Sequence, residues 1–385
     1  MSLEVRAATP EELERWDELT VAVPGGDVYQ SRAWGEYRGR HGWRPRYLMI
    51  DGGHPVLVLV RPWRWIGGAG AYISRGPVWS GGPLEAAADR LDAIAAWLGE
   101  HGVDVVSSDA EVPVETGYPD LLRARGFRQI EEIQPSRHRL RRALPPGLDE
   151  AALLAELPAT VRYEIRGAER RGVRVLGYGR FDAPGGAGEG IEPPAGGPLA
   201  AAEIGAALQR LYAILAATAA RRRFRLGPAE GFLDWGGHAV TAGLGFILEV
   251  RSPDDELLGA AMFYRHGDRF TYAHAGDVVE RRRAYPGTTH LILWRALELA
   301  LREGRAEVDL AGVDVAGRRR RPQAGEPMYG LLRFKELLGG EWLELSGNRE
   351  RVMRPWRYAA GRITGRLAGL AADRRPAPAV PARAP

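Results

Sequence analysis

The chain has 385 residues and a mass of 42.1 kDa, which is long for one ordinary domain and suits two. With 45% hydrophobic and 26% charged residues it has the make-up of a soluble globular protein, and its formal charge of +4 permits an anionic partner without demanding one. It contains no cysteine, which excludes disulfides, thiolate nucleophiles and cysteine–zinc sites and fits a reducing compartment. No apolar run approaches the ~20 residues of a membrane helix. Met1-Ser2-Leu3-Glu4 lacks the basic start and apolar core of a signal peptide, so a cytoplasmic location is expected.

Thr9-Pro10-Glu11-Glu12 combines a cap residue, a proline at the first helical position and a glutamate at the third, and predicts a helix through Leu13, Trp16 and Leu19. A second helix is expected over 31–40, then strands over 46–51, 55–61 and 71–73. An amphipathic helix over 85–101 stops before Gly102, and a short apolar strand follows over 103–107. A helix over 118–125 is closed by Gly126, and 133–140 reads as the last strand of the first half.

Residues 148–171 read as one or two helices, broken at Pro158, and 173–177 as a strand. The segment 181–198, with Gly185-Gly186-Ala187-Gly188, reads as a surface insertion or a mobile lid. Next come a helix over 201–221, a hairpin of 243–250 and 257–265 around Ser252-Pro253-Asp254-Asp255, and a strand over 269–273. A helix over 290–303, a buried strand over 307–311 and a helix over 329–338 complete the second half. In the tail, Arg351, Arg354, Arg357, Arg362 and Arg366 alternate with Val352, Met353, Trp356, Ile363, Leu367 and Leu370. That pattern fits a basic amphipathic helix that docks on its own domain or lies on anionic lipid. Residues 373–385 read as disordered.

Each half runs helix, antiparallel strands, helix, strand, which implies a duplicated α/β unit of α+β type with mixed, largely antiparallel sheets. Neither a dinucleotide fingerprint nor a P-loop is present. The eight histidines show no metal-ligand spacing; His266 and His274 lack a third ligand, and no metal is expected.

Lys335 is the only lysine among 53 basic residues. A lysine that survives where arginine fills every other basic position either remained by accident or marks a site where a compact ammonium is needed and a planar fork fails.

Several segments, in order, carry a family resemblance: Gln30-Ser31-Arg32-Ala33-Trp34-Gly35-Glu36-Tyr37-Arg38, then Tyr72-Ile73-Ser74-Arg75-Gly76-Pro77-Val78, then Gln134-Pro135. They continue with Arg162-Tyr163-Glu164-Ile165-Arg166 and Glu169-Arg170-Arg171-Gly172-Val173, with Thr218, Arg221 and Phe224, and with Tyr272-Ala273. Asp309-Leu310-Ala311-Gly312 and Leu332-Arg333-Phe334-Lys335 with Gly339-Gly340 complete the series. Together, from about Gln30 to Trp342, they resemble the FemABX family of peptidoglycan interpeptide-bridge aminoacyltransferases. Arg38 stands where that family has a lysine, and His274 and Ala275 depart from its pattern.

The resemblance implies two tandem GNAT-like domains without a long coiled-coil arm. The first would span 1–147, completed by about 345–372, and the second 148–344. It implies an amino acid moved from aminoacyl-tRNA, as co-substrate and without a further cofactor, to the stem peptide of a UDP-MurNAc-peptide or lipid II, with peripheral contact to the inner membrane face an option. By resemblance, Lys335 stabilises the oxyanion or holds the terminal phosphate of the tRNA, and Phe334 stacks on the terminal adenine unless it is a core residue. Arg38 and Arg221 hold the acceptor's diphosphate unless they form surface ion pairs. Tyr272, Asp109 and Tyr72 contact the acceptor or serve packing.

Two alternatives remain at this level. One is a tRNA-dependent or acyl-CoA transferase of a small-molecule pathway, for which Ala284-Tyr285-Pro286-Gly287-Thr288-Thr289 is a poor pyrophosphate loop. The other is a non-catalytic tRNA- or muropeptide-binding protein.

Overall fold

A computed structural model describes residues 3–133, 138–181, 190–222, 226–313 and 320–373. Gln134, Pro135, Phe224, most of the glycine-rich insertion (182–189) and the end of the tail (374–385) lie outside the described residues.

The first half of the chain runs β1 (Val5–Ala7), α1 (Pro10–Glu14), α2 (Trp16–Thr20), α3 (Arg32–Arg40), β2 (Arg44–Ile50), β3 (His54–Pro62), β4 (Ala69–Ile73), α4 (Leu84–Glu100), β5 (Val103–Ser108), α5 (Tyr118–Ala124) and β6 (Arg128–Gln129). The second runs β7 (His138–Ala143), α6 (Glu150–Glu156), α7 (Ala159–Arg170), β8 (Arg174–Tyr178), α8 (Ala201–Arg222), α9 (Ala229–Thr241), β9 (Gly245–Arg251), β10 (Leu257–Arg265), β11 (Arg269–Asp277), α10 (Thr288–Arg302), β12 (Glu307–Asp309), α11 (Tyr329–Leu337) and β13 (Glu341–Glu344). β14 (Arg349–Val352) and α12 (Pro355–Asp373) follow. The capping box at Thr9 forms as its sequence requires, although the first helix breaks at Arg15 into α1 and α2.

These strands form two seven-stranded sheets, ordered β1-β2-β3-β4-β5-β14-β6 and β8-β9-β10-β11-β12-β7-β13. The two have the same plan. In each, the fourth and fifth strands are the one parallel pair, and every other pairing is antiparallel. A parallel pair needs a crossover, and α4 and α10 supply it. The duplication expected from sequence is therefore a matched topology.

One expectation is corrected. The strand read as closing the first half, over 133–140, is β7, and it pairs with β12 and β13 in the second sheet. Its place in the first sheet is taken by β14, which returns from beyond the second half to lie between β5 and β6. The sixth strand of each sheet thus comes from outside the run of chain that supplies the other six. The insertion differs from a plain surface loop as well. Its described end is held on β8, where Glu192 N–H donates to the Val175 carbonyl at 2.8 Å and Ile191 is buried.

Apolar runs explain the layers. Val56–Val60 is a continuous buried stretch in β3, and one core lies between the first sheet and α4 with α5. A second lies between the other sheet and α7 with α10. A third joins the halves, combining Trp16, Trp34 and Leu57 with Leu211, Trp235 and Met262. Buried charges also cross the junction: the Arg269 guanidinium donates to Asp27 at 3.0 Å and to Glu111 at 2.9 Å, and Arg139 and Arg141 each reach Glu111 at 3.0 Å. The longest described helix, α8, packs on α9 and β11 and forms no projecting arm. No described helix is long and apolar enough to cross a membrane.

Candidate functional site

β11 pairs with β12 only over Arg269–Thr271. From Tyr272 to Asp277 that edge of β11 has no strand partner among the described residues, and the two strands part. A cavity of about 400 Å³ opens beside the splayed edge, walled by the end of α8, the start of α10 and one face of α11.

Three residues singled out in separate sequence segments meet here: Arg221 from α8, Tyr272 from β11 and Phe334 from α11. Tyr272 packs on Phe263 with ring centroids 5.4 Å apart, and burial raises its phenol above the usual range, so it stays protonated and able to donate. On α11, Leu331 and Phe334 lie one turn apart and face the cavity, while Leu332 and Lys335 form the buried face.

Electrostatically the cavity suits an anion. Arg221, Arg222 and Arg282 line it, and Asp277 is the one carboxylate among the lining residues. Asp277 is engaged by Arg282 through two bonds of 2.7 and 2.9 Å. Thr288 and Thr289, the first residues of α10, add hydroxyls. The helix is entered through Gly287 at φ +86°, and among the described residues no side chain caps it. A Cβ at Gly287 would stand 2.4 Å from the Glu164 carbonyl oxygen, so this turn requires glycine. Uncapped amides at a helix start favour a negative ligand.

Sequence reasoning missed Arg282, which has no local motif, and the pair of Glu164 with His290. The Glu164 carboxylate lies 2.5 Å from His290 Nδ1, and the imidazole in turn packs 4.9 Å from the Phe334 ring. Glu164 and His290 thereby fix the wall that carries Phe334. The segment read as a poor pyrophosphate loop is the entry to α10, and Thr288 and Thr289 from it line the cavity.

Lys335 lies elsewhere. Its side chain is buried, and Nζ donates to the Ala311 carbonyl at 3.1 Å and the Gly312 carbonyl at 2.9 Å. It ties α11 to the turn after β12, where Ala311 adopts φ +61° and the Asp309 carboxylate accepts its N–H at 2.7 Å. Two segments of the family resemblance are therefore in contact through this lysine. A compact ammonium suits two converging carbonyls; a planar guanidinium does not. Gly339, at φ +80°, and Gly340 let the chain leave α11 tightly against β7, because a Cβ at Gly339 would meet Arg142 at 2.3 Å.

The remaining predicted residues belong to the first half of the chain: Tyr72 on β4, Asp109 just after β5 and Arg38 on α3. Tyr72 Oη donates to Asp109 at 2.8 Å, and the Arg75 N–H donates to the other oxygen of the same carboxylate at 2.6 Å. Both Tyr72 and Asp109 are buried, and neither lines the cavity. Arg38 does not line it either. Its guanidinium lies over Trp34 and Trp43, at 5.2 and 4.8 Å, and Arg61 shares the Trp43 ring at 5.5 Å.

No protein-family model and no curated protein matches the chain. Solved structures do. The crystal structure of FemX aligns with 93% of this chain and 99% of its own, with a TM-score of 0.71 and 17% identity. This chain shares the fold of FemX. A conserved protein from Bacteroides thetaiotaomicron aligns over 90% and 98% of the two chains at a TM-score of 0.55 and 10% identity. L-PGS from Bacillus licheniformis aligns over 94% and 98% at 0.51 and 12%. At such identities the likeness is one of fold. It agrees with the two mixed, tandem GNAT-like sheets that the FemABX resemblance implies.

Proposed function

We propose that the protein is an aminoacyl-tRNA-dependent transferase that adds an amino acid to the stem peptide of a peptidoglycan precursor. The observation that carries this reading is the meeting of Arg221, Tyr272 and Phe334, each from a different segment of the family resemblance, in one cation-rich cavity. The FemX fold supports it.

The acceptor's free amine attacks the carbonyl carbon of the aminoacyl ester. The C–N bond forms, the carbonyl oxygen takes up negative charge, and the C–O bond to the ribose then breaks. The proton lost by nitrogen ends on the released ribose hydroxyl. Pre-placed donors are the main catalytic requirement of such a step. Tyr272, protonated, donates toward the oxyanion, and the uncapped start of α10 adds its positive end. Phe334 stacks on the terminal base, and Arg221, Arg222 and Arg282 hold the adjoining phosphate. Lys335 is a positioning residue that acts through the turn at Ala311 and Gly312. Arg38 and Arg61 hold the acceptor's phosphates, and Tyr72 with Asp109 braces that side of the site.

A second reading keeps the cavity and changes the donor. The α10 entry at Thr288 and Thr289 also suits the pyrophosphate of an acyl-CoA. The discriminating experiment offers labelled aminoacyl-tRNA and labelled acetyl-CoA side by side with UDP-linked and lipid-linked muropeptides. Label arriving from tRNA supports the proposal, and label arriving only from acetyl-CoA overturns it.

A further inference from the structure

α12 uses one face to dock on the first sheet. The Tyr358 ring lies 6.5 Å from Trp63, and Gly361 comes so close that a Cβ would stand 2.5 Å from the Trp63 indole. Arg354 and Arg357 reach Asp104 at 3.3 and 3.6 Å. Docking accounts for that face only. At 3.6 residues per turn, Trp356 and Ile363 fall on the opposite side of the helix from Tyr358 and Gly361, and they are 70% and 59% exposed.

The loop between β3 and β4, whose Trp63 packs against α12, carries a second exposed indole. It is closed by the Trp63 N–H donating to the Gly68 carbonyl at 3.1 Å. Trp65 is 77% exposed and sits at φ +70°, a left-handed conformation that opposes a bulky side chain. Trp65 and Trp356 are the two most exposed large hydrophobic side chains among the described residues. Segments 61–68 and 355–364 contain four arginines and no acidic residue; Arg357 is turned to Asp104 and Arg61 to Trp43, which leaves Arg64 and Arg362 as the basic residues of the two exposed segments.

We propose that Trp65, Trp356 and Ile363, with Arg64 and Arg362, form a docking surface for an anionic phospholipid bilayer. Indole rings settle at the boundary of headgroup and acyl chain. Arginines beside them are drawn to the negative leaflet, and a helix with one apolar face lies flat on it. Ile363, central on the exposed face, gains from hydrocarbon but offers nothing to a nucleic acid. Docking through this patch is independent of the chemistry at the cavity.

The test is co-sedimentation of the full chain with vesicles of phosphatidylglycerol and phosphatidylcholine in equal parts, and with phosphatidylcholine alone. W65S/W356S and R64Q/R362Q are run in parallel, with circular dichroism to establish folding. The expected result is binding of the native protein to the anionic vesicles, weakened about tenfold or more by W65S/W356S and several-fold by R64Q/R362Q. Bromolipid quenching of the native protein's tryptophan fluorescence is expected as well, and it does not depend on any variant folding. Absence of binding and quenching with the native protein overturns the proposal. So do folded variants that bind vesicles as the native protein does, including a W65S/W356S protein that has lost only tRNA binding or self-association.

Discussion

Glu111, just beyond the first sheet, and Arg269, the first residue of β11, form a buried ion pair of 2.9 Å across the junction of the two halves. Glu111 also accepts from Arg139 and Arg141, and Arg269 donates to Asp27 as well. Removing one partner leaves the others charged and buried. Glu111→Gln or Arg269→Gln is expected to cost about 3–5 kcal/mol, read as a lower urea midpoint. A loss under ~1 kcal/mol would mean that water reaches these groups.

The strand exchange gives a second prediction. Fragment 1–147 lacks β14, and fragment 148–385 lacks β7, so each leaves a sheet open beside its parallel pair. Neither fragment is expected to fold alone, whereas mixing the two restores a cooperative thermal transition. Cooperative unfolding of either fragment by itself would contradict the interlocked arrangement.

Much of this was legible locally, and the reason differs by element. The Thr9 capping box, the apolar run of β3 and the glycine stops after α4 and α5 rest on short-range chemistry, and they formed as read. α9 was missed because Gly231, Gly236 and Gly237 dilute its helical pattern. β13 and β14 were missed because they are four residues long and rich in charge. The sheet that β7 joins depends on partners more than 150 residues away, Glu307–Asp309 and Glu341–Glu344, which no local pattern encodes. At the site, Arg221, Tyr272 and Phe334 could be named from family-like segments. Arg282 and the Glu164–His290 pair exist only once β11, α7 and α10 have packed.

Lys335 separates positioning from direct chemistry. Lys335→Met leaves the Ala311 and Gly312 carbonyls without this donor, and Lys335→Arg brings a larger head into the same space. Both are expected to lose about 1–3 kcal/mol of stability and to lose transfer activity with it. Full stability with abolished transfer would instead make the ammonium a participant in the reaction.

His274 gives a pH dependence. Burial lowers its pKa to about 4, and its ring packs edge-on against Phe232 at 5.1 Å. Unfolded histidine titrates near 6.5. Between those values the unfolded state binds the extra proton, so this contribution to stability is complete above about 6.5 and is lost as the pH falls toward about 4. Stability measured by urea unfolding is expected to fall less steeply over that window in His274→Phe. Parallel curves for the two proteins would show that His274 is solvated.

The most direct measurement is transfer of labelled glycine, alanine or serine from a charged tRNA pool onto muropeptides by the native protein, Phe334→Ala and Arg221→Gln/Arg222→Gln. The expected result is label on the muropeptide. Phe334→Ala is expected to lower kcat/KM roughly 10- to 100-fold, the worth of one stacked base, and the arginine variant to weaken the salt dependence of tRNA binding. Transfer unchanged in both variants, or no transfer from any charged tRNA, would contradict the assignment of this cavity to the tRNA end.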